Sequence, residues 1–287
     1  MTVPRLSIVT TCKGRLHHLR ESLPTFLAQP DCEVIVVDFD CPDDTAGVVA
    51  REFPAARVVK MENEPHFDIA RARNAGADAA TTEWVAIIDA DILIVPDFHT
   101  RLAPQMKPGV FFRFFPQRRG TSLFGTCIFR RDDYLAVGRY DEAMQGYGAD
   151  DQEMYFRLGL SGLEAVAMEF DLVARVIDHD TAARIKYTRL PTMLHNTRQN
   201  AAYLLVKTTL LRLLGVDGMP PEQCRTLYKL IGEVVNDANR TPESPIHFTI
   251  DLPPDLAGIP VPAWKAQRRL VFDLTPTELL APEDLEA

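Results

Sequence analysis

Four short apolar runs alternate with helix-like segments over the first 91 residues, and this alternation constrains the fold more than any other feature. The runs lie within RLSIVTTCKGR, CEVIVVDFD, ARVVKME and EWVAIIDAD. Each is rich in β-branched residues and ends in polar ones, which is typical of buried strands. The segments between them carry apolar residues at helical spacing or a high alanine content. Strands that alternate with helices predict a parallel sheet covered on both faces, a doubly wound α/β fold.

Polar side chains follow three of these predicted strands at the point where each strand ends. In doubly wound sheets, ligands bind in the crevice outside the carboxyl ends of the strands. Three such ends therefore predict one shared binding site. Its candidate residues, strand by strand, are Thr10 and Thr11, Asp38 and Asp40, and Asp89 and Asp91.

The stretch WVAIIDADILIVP places Asp89 and Asp91 inside an apolar run. A buried carboxylate is costly unless it is paired, hydrogen-bonded or bound to a metal. Carboxylate oxygens suit Mn²⁺ or Mg²⁺, so the pair predicts a divalent cation site. His179, in VIDHD, is the predicted third ligand. His195, in the predicted polar loop HNTRQN, ranks below it. The alternative is that the acids cap a helix or face water.

The predicted ligand is a nucleotide whose phosphates are neutralised by that cation. Neither G-x-x-x-x-G-K-[ST] nor G-x-G-x-x-G follows the first strand, so the glycine-rich backbone cradles for phosphate are absent from the sequence. Arg15, just after that strand, is a candidate for phosphate contact. Asp150 and Asp151 follow a glycine-rich loop and precede a helical segment, which they could also cap.

Several stretches carry a family resemblance. RARNAGADAATTEWVAIIDADI resembles the nucleotide-sugar half of family 2 glycosyltransferases of the GT-A fold, which typically read A-R-N-x-G, a strand, then D-x-D. VVDFDCPDDT resembles that family's V-V-D-D-G-S, from which Phe39 and Cys41 depart. The acids of CPDDT are also suited to cap the helix that follows. Residues 120–162 are similar to a galactosyltransferase-type, family 7-like acceptor region with a glycine–aromatic–glycine loop followed by E-D. Here Asp150 replaces the glutamate and Tyr147 replaces a tryptophan.

The resemblance covers about residues 4–200 and implies roles for individual side chains. Asp151 would take the proton of the acceptor hydroxyl as general base, and Asp150 would hold an acceptor hydroxyl. Tyr147 would stack on a sugar ring. Contacts to the nucleotide sugar are implied for Thr10 or Thr11, Asp38 or Asp40, Arg73 and Asp89.

We therefore expect a GT-A domain at 1–200, with a nucleotide-sugar-binding half at 1–106 and an acceptor and catalytic half at 107–200. Beyond it, AAYLLVKTTLLRLLG and PEQCRTLYKLIGEVVND have helical spacing, and a proline-rich tail contains a small β element. These form an expected C-terminal helical extension and tail at 201–287.

The predicted function is metal-dependent, inverting transfer of a hexose from a UDP-sugar to a hydroxyl of a saccharide or glycolipid, in polysaccharide biosynthesis. UDP-Gal/GalNAc and UDP-Glc/GlcNAc are both candidate donors. Two alternatives stay open: a retaining transferase on the same fold, and a non-catalytic protein that binds a nucleotide sugar or carbohydrate. A nucleotidyltransferase is disfavoured because TTCKGR is poor in glycine.

Composition limits the partners and the compartment. The formal net charge of −9 argues against nucleic acid as a partner, because nucleic acid requires a basic face. Five scattered cysteines without a CxxC pair favour a reducing compartment. The N-terminus has no signal-peptide pattern, so we expect a cytoplasmic protein. Contact with the inner face of the membrane and homodimer formation both stay open.

Overall fold

The predicted strands form part of a seven-stranded mixed sheet in the computed structural model of the protein. Its strands are β1 (Leu6–Cys12), β2 (Cys32–Phe39), β3 (Arg57–Met61), β4 (Trp84–Ile87), β6 (Val110–Arg113), β7 (Cys127–Arg130) and β8 (Glu164–Ala167). They are ordered β3-β2-β1-β4-β7-β6-β8. Strands β1 to β4 run parallel to one another, and β7 is antiparallel to both β4 and β6. The predicted α/β class is confirmed.

The structure describes residues 5–115, 123–178, 182, 185–190, 192–237, 244–251 and 269–275. His179, the predicted third metal ligand, lies outside these ranges. Within them, no helix is both long and apolar enough to cross a membrane.

Helices cover both faces of the sheet. They are α1 (Leu16–Leu27), α2 (Thr45–Glu52), α3 (Ile69–Ala79), α4 (Phe98–Leu102), α5 (Arg131–Ala136), α6 (Asp150–Leu160), α7 (Met193–Leu214) and α8 (Pro221–Val235), with 3-10 turns at Ala103–Gln105 and Phe170–Leu172. Successive strand side chains point to opposite faces, so Ile8 joins an apolar cluster with α1 and α2, whereas Val9 joins one with α3 and α6.

The alanine-rich helix α3 lies close against the sheet. A Cβ atom added at Gly76 would overlap Val9 and would lie 2.9 Å from Cγ2 of Val37. Only a glycine fits this contact without a shift of the strands. The close packing brings the next buried turn of α3, which carries Arg73, to the carboxyl edge of the sheet.

The chain turns sharply after β4, and the predicted site acids lie in this turn. The short strand β5 (Ile92–Ile94) leaves the main sheet and pairs antiparallel with β9 (Val173–Val176). The turn is closed by the Ile92 amide, which donates to the Asp89 carbonyl over 3.1 Å. Asp89 and Asp91 therefore lie between two different sheets, at a point where the backbone is anchored on both sides.

The C-terminal part packs as a separate apolar cluster around α7, α8 and a hairpin of β10 (Ile246–Asp251) and β11 (Arg269–Leu274). HNTRQN, predicted as a polar loop, is instead the first part of α7. The helix begins early because Thr192 caps it, its Oγ1 accepting the His195 amide at 3.2 Å. The helix runs continuously through residue 200, the expected boundary of the first domain.

Candidate functional site

Arg73 is the centre of a cluster of acids at the carboxyl edge of the sheet. Its side chain is almost fully buried. Nη2 lies 3.1 Å from Oδ1 of Asp89, and Nη1 lies 2.6 Å from Oδ2 of Asp150 and also contacts Oδ1 of Asp151. The guanidinium also lies over the ring of Tyr140, 5.2 Å from its centroid. One cation thus joins the end of β4 to the first turn of α6, which is distant in sequence.

Asp91 meets a second arginine beside this cluster. Nη1 of Arg15, at the start of α1, lies 3.6 Å from Oδ2 of Asp91. Asp91 is 7% exposed, and its carbonyl accepts the Ile177 amide. Among the described side chains, four carboxylates and two guanidiniums meet at this edge of the sheet. Carboxylate oxygens are the ligands that Mg²⁺ and Mn²⁺ prefer.

The electrostatics of the α6 acids differ from those of ordinary surface carboxyls. Burial and the neighbouring charge of Asp150 raise the pKa of Asp151 well above its usual range, although Arg73 opposes the shift. Burial likewise raises the pKa of Asp150. Strongly perturbed carboxyls that share a crevice are typical of functional sites.

These acids are not the capping residues of α6. The N-cap is Ala149, in a left-handed conformation with φ of 68°. Gly146 and Gly148 before it have φ of 80° and 98°, a region that favours glycine. This loop turns the chain so that the Asp150 and Asp151 carboxylates reach Arg73, and it leaves Tyr147 half-buried beside them.

The described residues offer two carboxylates for a cation, Asp89 and Asp91. Within the described part of the chain, no three His, Cys, Asp or Glu side chains are grouped to hold a metal ion. Nδ1 of His195 lies 2.6 Å from Oγ1 of Thr192, at the start of α7. Mg²⁺ is commonly bound by one or two carboxylates together with substrate phosphates and water. The donor set fits that kind of site.

Of the predicted site residues at the ends of β1 and β2, one in each pair is buried in the interior and the other is accessible from the crevice. Thr10 is fully buried, and its Oγ1 has no hydrogen-bond partner among the described residues, whereas Thr11 is half-buried. Asp38 is also buried, and its two oxygens accept the amides of Cys41 and Ala46 at 2.8 and 2.7 Å. Asp38 therefore organises the start of α2. The exposed Asp40 accepts the Glu64 amide at 3.0 Å.

The acids in CPDDT were expected to cap α2, and that expectation is wrong for Asp44. Asp44 occupies the N-cap position with φ of 52°, but its side chain makes no capping hydrogen bond. Oδ2 of Asp38 accepts the helix amide instead. The parallel pairing of β2 with β1 places Asp38 beneath the first turn, which local sequence does not reveal.

Two positively charged side chains near the site, those of Arg71 and Lys13, make their contacts outside the cluster around Arg73. Arg71 pairs with Glu64 at 2.6 Å, and so points away from the cluster around Arg73. Nζ of Lys13 donates to the carbonyls of Phe39, Asp40 and Glu64. Lys13 therefore joins the loop after β1 to the ends of β2 and β3.

Two residues close to the site carry no motif and were missed by sequence reasoning. Gly125 passes directly over the contact between Asp89 and Arg73. The ring of Tyr187 packs against Gly14, and the Tyr187 carbonyl accepts the Phe67 amide at 2.7 Å. The glycine at 125 in LFGTC was a visible signal of a close approach, whereas nothing in the sequence marks Tyr187.

Gly125→Ala is expected to disturb the centre of the site. An added Cβ would lie 2.5 Å from Oδ2 of Asp89 and 2.6 Å from Nη2 of Arg73. One of these held side chains would have to move, at a cost of about 1–3 kcal/mol in unfolding free energy. Chemical denaturation measures this loss.

Gly159→Ala is the matched control for that variant. Gly159 lies inside α6, and an added Cβ there meets no atom of the described residues within 4 Å. Alanine favours helix over glycine by about 1 kcal/mol, so this variant should be as stable as the wild type or more so. If Gly125→Ala were as stable as the wild type, this would contradict the close approach of Gly125 to Asp89 and Arg73.

Two family models match this chain over the region that forms the sheet and the site. Residues 7–121 match glycosyl transferase family 2, and residues 110–181 match the model described as the N-terminal domain of galactosyltransferase. A curated relative, the succinoglycan biosynthesis protein ExoO of Rhizobium meliloti (strain 1021), is 31% identical over 97 residues. That match spans 33% of this chain and only 28% of the relative.

Solved structures share the fold at low sequence identity. The mannosyltransferase PcManGT from Pyrobaculum calidifontis, in complex with GDP-Man and Mn²⁺, aligns with a TM-score of 0.55 at 18% identity, over 84% of this chain and 78% of that one. S. aureus TarS 1-349, in complex with UDP-GlcNAc, aligns with a TM-score of 0.57 at 14% identity, over 82% and 74% of the two chains.

The mixed sheet, the acids after β4 and the glycine loop before α6 thus lie in a region that two successive family models cover from residue 7 to residue 181. The fold of that region is shared with the solved glycosyltransferases. Residues 7–121 are a glycosyl transferase family 2 region and residues 110–181 a galactosyltransferase-type region, on the fold of the solved GT-A glycosyltransferases.

Proposed function

We propose that the protein transfers a sugar from a UDP-sugar to a hydroxyl of a saccharide or glycolipid, with a divalent cation and with inversion at the anomeric carbon. The observation that carries this proposal is the cluster around Arg73. It holds a carboxylate from the predicted donor side, Asp89, next to two carboxylates from the predicted acceptor side, Asp150 and Asp151.

The donor side consists of the ends of β1 and β4. Thr11, the accessible member of its pair, and Arg15 flank the position where the nucleotide would lie. Asp89 and Asp91 would hold Mn²⁺ or Mg²⁺, which when bound stabilises the negative charge of the leaving diphosphate as a Lewis acid. The S. aureus protein with the same fold binds UDP-GlcNAc, and the Pyrobaculum protein binds Mn²⁺.

The acceptor side consists of the glycine loop and the first turn of α6. Asp151 would accept the proton of the attacking hydroxyl, and its raised pKa makes it a better base than a surface carboxylate. Asp150 would hold an acceptor hydroxyl, and Tyr147 offers a ring for sugar stacking. Arg73 would hold the α6 acids in place for an attack in line with the leaving group.

The acceptor is proposed to be a saccharide of a growing polysaccharide. The support is the curated relative, which is described as a succinoglycan biosynthesis protein. A glycolipid with the same terminal sugar presents the same hydroxyl chemistry. The donor sugar is proposed to be Gal/GalNAc or Glc/GlcNAc.

Asp91→Asn tests the cation site. Donor hydrolysis should be measured over a panel of UDP-sugars with Mn²⁺, with Mg²⁺ and with EDTA. We expect the wild type to require a divalent cation, and we expect the variant to lose metal-dependent donor binding by about 100-fold or more, because a ligand to the cation is replaced by a neutral amide. Donor binding is measured by titration with UDP and Mn²⁺.

Asp97→Asn is the control, because Asp97 follows β5 on the surface and its side chain makes no capping hydrogen bond to α4. Donor hydrolysis that persists in EDTA would rule out the metal-dependent mechanism. A product with the donor's anomeric configuration would identify a retaining transferase, and UDP binding without turnover would identify a binding protein.

A further inference from the structure

The glycine loop before α6 is held by side chains from α7 and α8, and not by its own residues alone. The loop, Gln145–Gly148, lies against the first turns of α7 and the middle of α8. Two buried asparagines of α7, Asn196 and Asn200, and the hydroxyl of Tyr228 in α8 provide the contacts. Asn196 and Asn200 lie in the segment HNTRQN, in which only His195 was a predicted site residue, and Tyr228 lies in no predicted motif.

Asn200 makes the most extensive contact. Its Nδ2 lies 3.1, 3.2 and 2.9 Å from the carbonyl oxygens of Gln145, Tyr147 and Gly148. Its Oδ1 accepts from the hydroxyl of Tyr228 at 2.8 Å. Asn200 is 1% exposed, so water does not compete for these bonds. A single amide group thus binds most of the loop's backbone.

Asn196 fixes the loop from the other side. Its Oδ1 accepts the Tyr147 amide at 2.9 Å, and its Nδ2 donates to the Thr192 carbonyl at 2.7 Å. The asparagine lies so close to Gly146 that any Cβ there would overlap Oδ1. Gly146 is therefore required both by its φ of 80° and by the approach of Asn196.

Tyr228, in α8, contacts both the loop and Asn200. Its hydroxyl accepts the Gln145 amide at 3.2 Å in addition to its bond with Asn200. The helix that carries it packs closely on α7, because a Cβ at Gly232 would lie 2.6 Å from Nε2 of Gln199. The two helices therefore present these three polar groups on a rigid surface.

A loop of this composition needs such support. Glycine loses more backbone entropy on ordering than any other residue, and Gly146, Gly148 and Ala149 all have positive φ. Ala149 in this region is strained as well. Hydrogen bonds from a packed helix offset these costs and hold a loop in one conformation.

We infer that Asn200 is a positioning residue of the active site: with Asn196 and Tyr228 it fixes the loop Gln145–Gly148 and thereby the first turn of α6. This inference rests on the proposed function for its kinetic consequence. It assigns a role to the helical pair α7 and α8, which forms one wall of the acceptor side. Asn200 itself touches neither Asp150 nor Asp151 among its hydrogen-bond partners.

Asn200→Ala tests this inference with two measurements. In hydrogen exchange of the full chain, the loop amides around Tyr147 should exchange about tenfold faster or more, because the loop loses the hydrogen bonds from Asn200 to its carbonyls and opens more often. In transfer kinetics, kcat should fall about tenfold to 100-fold, because a small displacement of catalytic groups is costly. The donor KM should stay within about twofold, because the donor side is untouched.

Asn236→Ala is the matched control. Asn236 is exposed and joins α8 to α7 through Oε1 of Gln199 at 2.7 Å, without contact to the loop. It should change neither loop exchange nor kcat. Tyr228→Phe, which removes one hydroxyl, should change loop exchange and kcat in the same direction as Asn200→Ala but by less. It replaces Asn200→Ala as the test variant if that variant does not fold.

The outcomes separate the inference from the proposed function. Wild-type loop exchange in both Asn200→Ala and Tyr228→Phe would overturn the inference, whatever the activity. An equal loss of kcat in Asn236→Ala would also overturn it, since the effect would then come from helix packing. Faster loop exchange in a protein whose wild type transfers no sugar would support loop positioning and contradict the proposed function.

Discussion

Asp151→Asn is expected to lower the rate of sugar transfer by about 10²–10⁴-fold, the usual contribution of a general base. Asparagine has the same shape and can still contact Arg73, so the fold and donor binding should be retained. The measurements are kcat with a saturating donor, and the dissociation constant of UDP with Mn²⁺. A variant that keeps more than about half of the wild-type kcat would exclude Asp151 as the base.

The pH profile gives the same prediction a second test. A base must be ionised to accept a proton, and burial together with Asp150 raises the pKa of Asp151. Activity should therefore fall as the pH drops through this raised pKa, at a pH above the ordinary range of carboxyls. The acid limb of kcat/KM in the wild type reports this group. The limb should be absent from the residual activity of Asp151→Asn.

Asp132→Asn is the matched control for the helix-capping alternative. Asp132 lies in the first turn of α5, as Asp151 lies in the first turn of α6, but it is exposed. An acid in a first turn stabilises its helix by roughly 0.3–1 kcal/mol at the surface. If Asp151 merely stabilised α6, the two variants would have similar small effects on stability and none on kcat.

Lys207→Met is expected to lower the free energy of unfolding by about 3–5 kcal/mol, the cost of removing one partner from a buried ion pair. Nζ of Lys207 lies 2.6 Å from Oδ2 of Asp141 and 2.6 Å from Oε1 of Glu153, and its side chain is 2% exposed. The bond to Glu153 is an ionic link between α6 and α7. Urea unfolding followed by circular dichroism measures the loss.

Lys229→Met is the control for the loss of a lysine charge. Lys229 pairs with Glu233 on the surface of α8 at 3.8 Å, and both are well exposed. Surface pairs of this kind contribute about 0–1 kcal/mol. Similar stability losses in the two variants would show that burial of Lys207 adds nothing to its pairing.

The effect of Lys207 should depend on pH. Burial alone would raise the pKa of both Asp141 and Glu153, but the charge of Lys207, with Arg157 beside Glu153, lowers each pKa below its ordinary value. Groups with a lowered pKa stabilise the fold above their unfolded pKa, about 4, and lose that contribution as the pH falls through the folded value. The difference between wild type and Lys207→Met should therefore shrink in acid.

Much of the donor-side architecture could be predicted from local patterns. Hydrophobic runs with β-branched residues identified β1 to β4, and the carboxyl ends of parallel strands necessarily meet at one edge of a sheet. Strand direction predicted that the acids after β4 lie at this edge, whereas only the family resemblance placed Asp150 and Asp151 at the same site. The structure joins Asp89, Asp150 and Asp151 through Arg73. Their catalytic and ligand roles stay predictions.

Other parts of the site depended on contacts between distant segments. Asp38 was expected to face a ligand, but it binds the amides at the start of α2. The polar segment HNTRQN was expected to be a loop, but Thr192 starts a helix there, and Asn196 and Asn200 turn its polar side chains toward the glycine loop. The identity of a polar residue does not show whether its side chain faces water or a buried carbonyl group.

The sequence by itself determined the α/β class and the polar residues that follow β1, β2 and β4, because strand and helix periodicity and the residues at strand ends are local properties of the chain. Only the tertiary structure decided which arginine neutralises which acid, that Gly125 covers the contact of Asp89 with Arg73, and that α7 and α8 support the glycine loop. These contacts join residues far apart in the chain, and their energy depends on burial and geometry that arise only when the helices pack.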